Sequence, residues 1–180
     1  MAKRFNGFDP EHEAFIREQP LFFVASAAPD GHVNVSPKGR DSLRVLGPNR
    51  LVWRNLTGSG NETAAHLLRA NRITVMWCSF TTRPLILRAY GTAVATHKGE
   101  PGWEALDATF LPDPGARQVF DVAVELVQTS CGFAVPFMDF RAERDTLAQW
   151  AERKGEAGVA AYWQEKNLES LDGFPTGMPA

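Results

Sequence analysis

Residues 51–68, LVWRNLTGSGNETAAHLL, join an apolar run to a Gly/Ser/Thr/Asn loop and then to a helical pattern. The first backbone N–H groups of a helix have no internal partner, and the helix dipole adds partial positive charge there. Gly58 and Gly60 allow the backbone to approach an oxygen-rich group closely, and Ser59 adds a hydroxyl donor. The stretch therefore indicates a site for a phosphate-bearing ligand. A plain connection, capped by Asn61 or Ser59, is an equally good interpretation at this point.

The loop matches neither common phosphate-binding motif. No Gly-Lys-Ser/Thr follows it, which separates it from the Walker type, and GSGNET lacks the third glycine of the dinucleotide fingerprint. Any phosphate would have to be held by backbone N–H groups and hydroxyls.

Composition is that of an ordinary globular protein. The chain has 180 residues, 44% of them hydrophobic and 22% charged, with a net charge of −2, which is typical of one domain and gives no reason to expect nucleic acid. Two cysteines are too few for a disulfide framework, the N-terminus shows no signal-peptide pattern, and no apolar run reaches membrane-spanning length. We expect a cytoplasmic protein that does not enter a membrane.

Periodicity predicts many short strands and few helices. Asp9 and Pro10 mark the start of a first helix, and the segment from Asn61 to Ala70 has helical spacing. The spacing of the rest favours a barrel-like β domain decorated with helices. The predicted strands are 21–28, 32–37, 42–46, 50–55, 72–80, 84–96 and 118–127, and the remaining predicted helices are 99–110, 141–154 and 158–168.

The stretch VSPKGR, residues 35–40, is a second candidate for anion binding. Lys38 stands between Pro37 and Gly39, so a stiff, sharply turned segment presents its ammonium group, and Arg40 adds a second cation. Solvated loop charges would be the better explanation of this stretch if it stood alone; a second anion-binding candidate on the same small β domain changes that balance. His66 is expected to be packed or solvated, and Cys131 is expected to be a buried structural cysteine.

Taken together, HVNVSPKG (32–39), residues 50–80 and PLILRAYGTA (84–93) resemble the pyridoxamine 5′-phosphate oxidase-like flavoproteins. The likeness includes Leu68-Arg69-Ala70-Asn71, which resembles the family's L-x-x-N turn, and Arg88-Ala89-Tyr90-Gly91, which resembles its R-x-x-G stretch. The resemblance implies a mainly β (α+β) fold, a six-stranded antiparallel split β-barrel with an inserted short helix and C-terminal helices. We expect one domain, with the barrel in residues 20–137 and the helical segment in 141–170.

The resemblance also implies a homodimer with FMN at the subunit interface. Ser36 and Lys38 would face the cofactor, the loop and helix start would surround its phosphate, and the strand before them would line the flavin. The Glu62 carboxylate would repel the phosphate at close range unless it points away or pairs with a cation such as Arg54 or Arg88. The implied cofactor-binding residues are Ser36, Pro37, Lys38, Gly39, Trp53, Arg54, Asn55, Ser59, Gly60, Asn61, Glu62, Thr63 and Arg88.

The C-terminal substrate signature of the biosynthetic oxidase has no counterpart in this chain. The expected function is therefore hydride transfer between FMN and an unidentified small molecule. The alternatives are a deazaflavin (F420)-dependent reductase and a non-catalytic flavin- or haem-binding protein.

Overall fold

The structure is a computed structural model that describes residues 2–179. Eight strands form one antiparallel sheet, in the order β3-β2-β6-β7-β8-β5-β4, with β1 paired to the far end of β8. The strands are β1 Lys3–Phe5, β2 Phe22–Ser26, β3 Asn34–Lys38, β4 Leu43–Gly47, β5 Arg50–Leu56, β6 Ile73–Cys78, β7 Ile86–His97 and β8 Ala116–Ser130; the helices are α1 Pro10–Glu18, α2 Glu62–Arg69, α3 Trp103–Asp107 and α4 Thr146–Lys166.

This architecture confirms the mainly β, α+β prediction and corrects the strand number. The described chain has eight strands rather than six, and the barrel is not closed, because β3 and β4 remain as separate edges. The long strands β7 and β8 pair along nearly their whole length, and β8 also pairs with β5 through its first half and β1 through its second. A hydrogen bond from Lys38 Nζ to Asn55 Oδ1, 3.2 Å long, links β3 to β5 across the opening.

Strand alternation produces two apolar cores. Successive side chains of a strand point to opposite faces, so in β5 Trp53 enters the main core while Val52 packs in a second cluster beside α3. Trp53 stacks on Phe120 with ring centroids 4.6 Å apart, and such a pair contributes about 0.5–1.5 kcal/mol beyond area burial.

The observed helices agree with the predicted ones to different degrees. Asp9 caps α1 as predicted, its carboxylate accepting from the His12 N–H at 2.9 Å. Helix α3 is shorter than predicted, and residues 141–145 are not helical. Gly155 interrupts α4 with a φ of 69°, a conformation that glycine adopts without strain. Within residues 2–179, no helix combines the length and the apolar character needed to cross a bilayer.

Candidate functional site

A cleft of about 560 Å³ lies where β3, β5 and the start of α2 meet the C-terminal end of the chain. Polar side chains and glycine backbone dominate its walls. The residues around it are Asn34, Ser36, Lys38, Asn55, Gly58, Ser59, Gly60, Asn61, Glu62, Thr63, Arg117, Lys166, Glu169, Ser170 and Leu171. Residues 58–63, which we call the phosphate-loop stretch, and the VSPKGR stretch are separate in sequence. Residues of both therefore line one cavity.

Two cations without acidic partners mark the cleft. Lys38 donates to the Asn55 amide oxygen, and Arg117 Nη1 donates to Gly60 O at 3.0 Å and to Asn167 Oδ1 at 2.6 Å. Within the described part of the chain, neither cation has a carboxylate at ion-pair distance. The Nε atom of Arg117 is buried and also lacks a hydrogen-bond partner among these residues.

Burial destabilises both charges, and repulsion by Arg117 adds to the effect on Lys38. Burial, and then the nearby charge of Arg117, lower the pKa of Lys38 from 10.5 to about 8. Burial also lowers the pKa of Arg117, from 12.5 to about 10. A bound anion would raise both pKa values again, because a nearby negative charge favours the protonated forms of Lys38 and Arg117. The electrostatics of the cleft thus fit a ligand that carries negative charge.

The start of α2 is open to the same cleft. Asn61 occupies the N-cap position but makes no side-chain capping bond to the helix within residues 2–179. Its Oδ1 instead accepts from Gln118 Nε2 at 2.6 Å, and its Nδ2 donates to Asn167 O at 3.4 Å. The simple capped-turn interpretation is therefore not what the geometry shows, and the first N–H groups of α2 remain available as donors.

Eight of the predicted cofactor-binding residues line this cleft: Ser36, Lys38, Asn55, Ser59, Gly60, Asn61, Glu62 and Thr63. Pro37, Gly39, Trp53 and Arg54 instead line a smaller neighbouring cavity of about 240 Å³, which shares Lys38, Asn55 and Gly58 with the main cleft. Arg88 lines neither cavity; its guanidinium donates to Ser130 Oγ at 3.1 Å.

The strand residues Trp53 and Arg54 have structural partners. Trp53 is 1% exposed in the main core, and the Lys38 ammonium lies 5.1 Å from the centroid of its ring. Arg54 points to the opposite face of β5, where it pairs with Asp107 at 3.2 Å and donates to Leu111 O. Asn55 is the residue of this run that reaches the main cleft.

Glu62 forms no ion pair within residues 2–179. Its carboxylate accepts from the Leu171 backbone N–H at 3.0 Å, rather than pairing with Arg54 or Arg88. The carboxylate is thus held at the side of the cleft that the C-terminal residues form.

Several residues of the cleft were not among the predicted site residues. Asn34 lies in the predicted strand 32–37, Arg117 directly precedes the predicted strand 118–127, and the others are Lys166, Glu169, Ser170 and Leu171 near the C-terminal end. The available signal for Arg117 was a lone Arg at the start of an otherwise apolar, alternating strand. No local pattern marked the C-terminal residues.

Two other candidates remain outside the cleft. His66 is buried, as expected, and its Nδ1 lies 3.0 Å from Ser26 Oγ. The expectation of a buried Cys131 is wrong, because this thiol is exposed, whereas Cys78 is buried. In residues 2–179, His, Cys, Asp and Glu side chains form no cluster of three or more suited to a metal ion.

Another cavity, of about 380 Å³, lies between α1 and the start of β4. Its arginines are already neutralised, Arg17 by Glu13 at 3.4 Å and Arg44 by Asp41 at 2.6 Å. It therefore lacks the unbalanced charge of the main cleft.

Comparison with known proteins agrees with this arrangement. Residues 8–131 match the family model of pyridoxamine 5′-phosphate oxidase. The chain is 36% identical over 179 residues to the pyridoxamine 5′-phosphate oxidase family protein ustO of Aspergillus flavus, covering 87% of this chain and 70% of that protein.

Solved structures show the same fold at low identity. HupZ of Group A Streptococcus superposes with a TM-score of 0.55 at 22% identity, over 68% of this chain and 98% of HupZ. A pyridoxamine 5′-phosphate oxidase-related, FMN-binding protein of Nostoc punctiforme gives a TM-score of 0.50 at 10% identity, over 68% and 84% of the two chains. Because the match to the family model spans more than half of the chain, the chain belongs to the pyridoxamine 5′-phosphate oxidase family.

Proposed function

We propose that this protein binds FMN in the main cleft and transfers hydride between the flavin and a small molecule. The observation that carries the proposal is the pair Lys38 and Arg117, two cations that have no acidic partner among residues 2–179 and lie beside an uncapped helix start. A phosphate monoester carries a charge of about −1.5 to −2 at pH 7 and three strong acceptor oxygens, which matches this pair and the free N–H groups.

The other polar groups fit the remainder of the molecule. Ser36, Asn55 and Ser59 supply hydroxyl and amide groups around the cleft, suited to the hydroxyls of a ribityl chain. When bound, the isoalloxazine ring supplies the redox chemistry. Lys38 would stabilise negative charge on the bound group, either at the phosphate or at the ring edge, and Gly60 would allow close backbone approach.

The flavin proposal fits the cleft better than haem binding does. Haem iron is usually held by His, Cys, Met or Tyr, and none of these residue types is among the described residues that line the cleft. The deazaflavin F420 also carries phosphate, so the cation pair alone does not separate it from FMN.

We also propose a homodimer with the cleft at the subunit interface. Two exposed valines lie at β3: Val33, just before the strand, is 72% exposed, and Val35, within it, is 60% exposed. In the segment after β8, Phe133 is 83% exposed and Phe137 is 77% exposed. Large exposed apolar side chains of this kind are typical of interaction surfaces. Val35 alternates with Asn34 and Ser36 of the cleft wall, so a partner covering it would lie beside the cleft. Sedimentation equilibrium should give the mass of a dimer.

The cytoplasm remains the proposed compartment. Both cysteines are free in the structure, and free thiols are typical of reducing compartments.

The decisive experiment is titration of cofactor-stripped protein with FMN, F420 and haem, followed by absorbance spectroscopy. Uptake of FMN in one equivalent per chain supports the proposal. Preference for F420 would move the protein to deazaflavin chemistry, and uptake of haem alone would overturn the flavin assignment. Bleaching of the bound flavin by an added electron donor then tests turnover, because a carrier would bind FMN without substrate-dependent bleaching.

A further inference from the structure

A buried histidine lies directly behind the part of α2 that lines the main cleft. His66 follows Thr63 by three residues in this helix and is 1% exposed. Residues three apart lie on the same side of a helix. His66 Nδ1 lies 3.0 Å from Ser26 Oγ in β2, while its Nε2 is buried and has no hydrogen-bond partner within residues 2–179. Its polar contact among these residues is therefore the one with Ser26.

Ser26 connects His66 to the wall of the main cleft. Its Oγ donates to Thr63 Oγ1 at 3.4 Å, and Thr63 lines the cleft. Asn34, the partner of Ser26 across the β2–β3 pair, donates from Nδ2 to the same Thr63 oxygen at 3.4 Å. The Asn34 Oδ1 in turn accepts from Ser36 Oγ at 3.2 Å. A chain of hydrogen bonds thus runs from the buried imidazole to a hydroxyl in the cleft.

The direction of this chain is fixed by the number of hydrogens. A hydroxyl has one hydrogen to donate, so Ser26 can donate to Thr63 only if it accepts from His66 Nδ1–H. The other ring nitrogen agrees with this direction. A hydrogen on Nε2 would be a buried donor without an acceptor among residues 2–179, and buried N–H groups without partners are rarer than acceptors with a free lone pair.

The chain leaves the hydrogen of the Thr63 hydroxyl free. Within residues 2–179, Thr63 Oγ1 accepts two hydrogen bonds and donates none, so its hydrogen can point into the cleft. The distance of 3.4 Å from Ser26 is long for a hydroxyl donor, which is usually about 2.8 Å from its acceptor. Long hydrogen bonds in a ligand-free site commonly tighten when the ligand binds.

We propose that His66 and Ser26 are positioning residues that turn the Thr63 hydroxyl toward an anion bound at the start of α2. This inference rests on the proposed FMN binding, because the anion is the FMN phosphate. Hydrogen bonds in a chain polarise one another, so donation by His66 strengthens donation by Thr63. In the reverse direction, Thr63 would donate to Ser26 and present its lone pairs to the phosphate.

Long-range proton–nitrogen NMR of the cofactor-free protein tests the direction of the chain without FMN. The spectra distinguish the two ring nitrogens of each histidine, and comparison with His66→Asn identifies the His66 signals among the four histidines. We expect a hydrogen on Nδ1. A bare Nδ1 with a hydrogen on Nε2 would overturn the proposal.

FMN titration of a double-mutant cycle tests whether Ser26 acts through Thr63. Thr63→Val removes the hydroxyl at nearly constant shape and should weaken FMN binding about tenfold. Ser26→Ala should weaken it about threefold in the wild-type background. Beside Thr63→Val it should have no further effect, because two residues that act through one contact are not additive. An equal effect of Ser26→Ala in both backgrounds would overturn the proposal.

Two substitutions of His66 test the ring itself in the same titration. His66→Asn keeps an N–H donor near the position of Nδ1 and should retain the FMN affinity within about twofold. His66→Leu has no donor and should lose about threefold, as Ser26→Ala does. Equal loss in both His66 variants would show that packing and not donation matters, and would overturn the role of the ring.

The control is Ser79→Ala, which removes the hydroxyl of another buried serine that lines neither the main cleft nor the smaller neighbouring cavity. It should leave FMN affinity unchanged, and thermal unfolding checks that each variant is folded. Normal FMN binding by both the wild type and Thr63→Val would overturn this inference alone. Failure of the wild type to bind FMN would overturn the proposed function, and the role of Thr63 with it.

Discussion

Replacing Lys38 by Met should stabilise the cofactor-free protein while weakening FMN binding. The lowering of the Lys38 pKa from 10.5 to about 8 corresponds to about 3 kcal/mol of free energy lost by the charged form in the fold. The substitution also removes the bond to Asn55 and the contact with the Trp53 ring, together about 1–2 kcal/mol. The net gain in unfolding free energy at pH 7 should be about 1 kcal/mol.

The sign of the pH dependence follows from which state holds the proton. Below pH 8 Lys38 is charged in both states, so the folded wild type carries the full penalty. Between pH 8 and 10.5 the folded state releases the proton while the unfolded chain keeps it, so wild-type stability rises relative to the variant. The difference between Lys38→Met and wild type should therefore fade over this range.

Urea unfolding of the cofactor-free proteins at pH 7 and pH 9.5 measures the difference in unfolding free energy between variant and wild type and its change with pH. FMN titration measures the loss of cofactor affinity. Affinity should fall by about 1.5–3 kcal/mol, as for a lost hydrogen bond to a charged group. A variant that is clearly less stable than wild type at pH 7, or that keeps its FMN affinity, would show that the Lys38 charge is structural and that the reasoning is wrong.

Three further outcomes are expected. Wild-type FMN affinity should be about tenfold lower at pH 9 than at pH 7, as Lys38 loses its proton above about pH 8; a fluorescence titration that is flat over this range would contradict this. Gly60→Val should keep the fold, because the nearest atom to an added Cβ is the flexible Glu62 Oε1 at 2.9 Å. Its free energy of FMN binding should nevertheless weaken by at least about 1.5–3 kcal/mol. A folded variant with normal FMN affinity would show that the loop is not part of the site. Gly91→Ala should lower the unfolding free energy by more than about 3 kcal/mol, since its Cβ would collide with the Ala123 carbonyl oxygen at the β7–β8 bulge; a midpoint of urea unfolding close to wild type would refute this.

Local sequence signals predicted most of the elements and missed those without such signals. The Asp9-Pro10 start of α1 and the alternating strands follow short-range rules of capping and period. Strand β1, Lys3–Phe5, is three residues long and mostly polar, so its pairing with β8 depends on register across the whole chain. The number of strands and the open barrel follow from such long-range pairings.

Within the cleft too, local sequence signals marked some residues, whereas others are placed by long-range contacts. Residues 58–63 were predicted because a loop and the helix after it are contiguous. Arg117 reaches Gly60 from 57 residues away, and Asn167 reaches Gly58 from 109 residues away, contacts that no local pattern encodes. The strand residues Trp53, Arg54 and Asn55 lie together at the smaller neighbouring cavity, and only Asn55 also lines the main cleft; their contact with a flavin stays a prediction.

The buried cations of this protein differ in whether a carboxylate pairs with them. Where a guanidinium supports the fold, the chain neutralises it: Arg54 pairs with Asp107 and Arg40 with Asp113, both at 3.2 Å. Removing one partner of such a pair is strongly destabilising, so an unpaired cation is costly wherever it stands. Within residues 2–179, Lys38 and Arg117 have no carboxylate at ion-pair distance, and both line the cleft at the uncapped start of α2. Two positive charges with lowered pKa values and free N–H donors are complementary to one phosphate group, and binding that group would remove the repulsion that the cofactor-free fold contains.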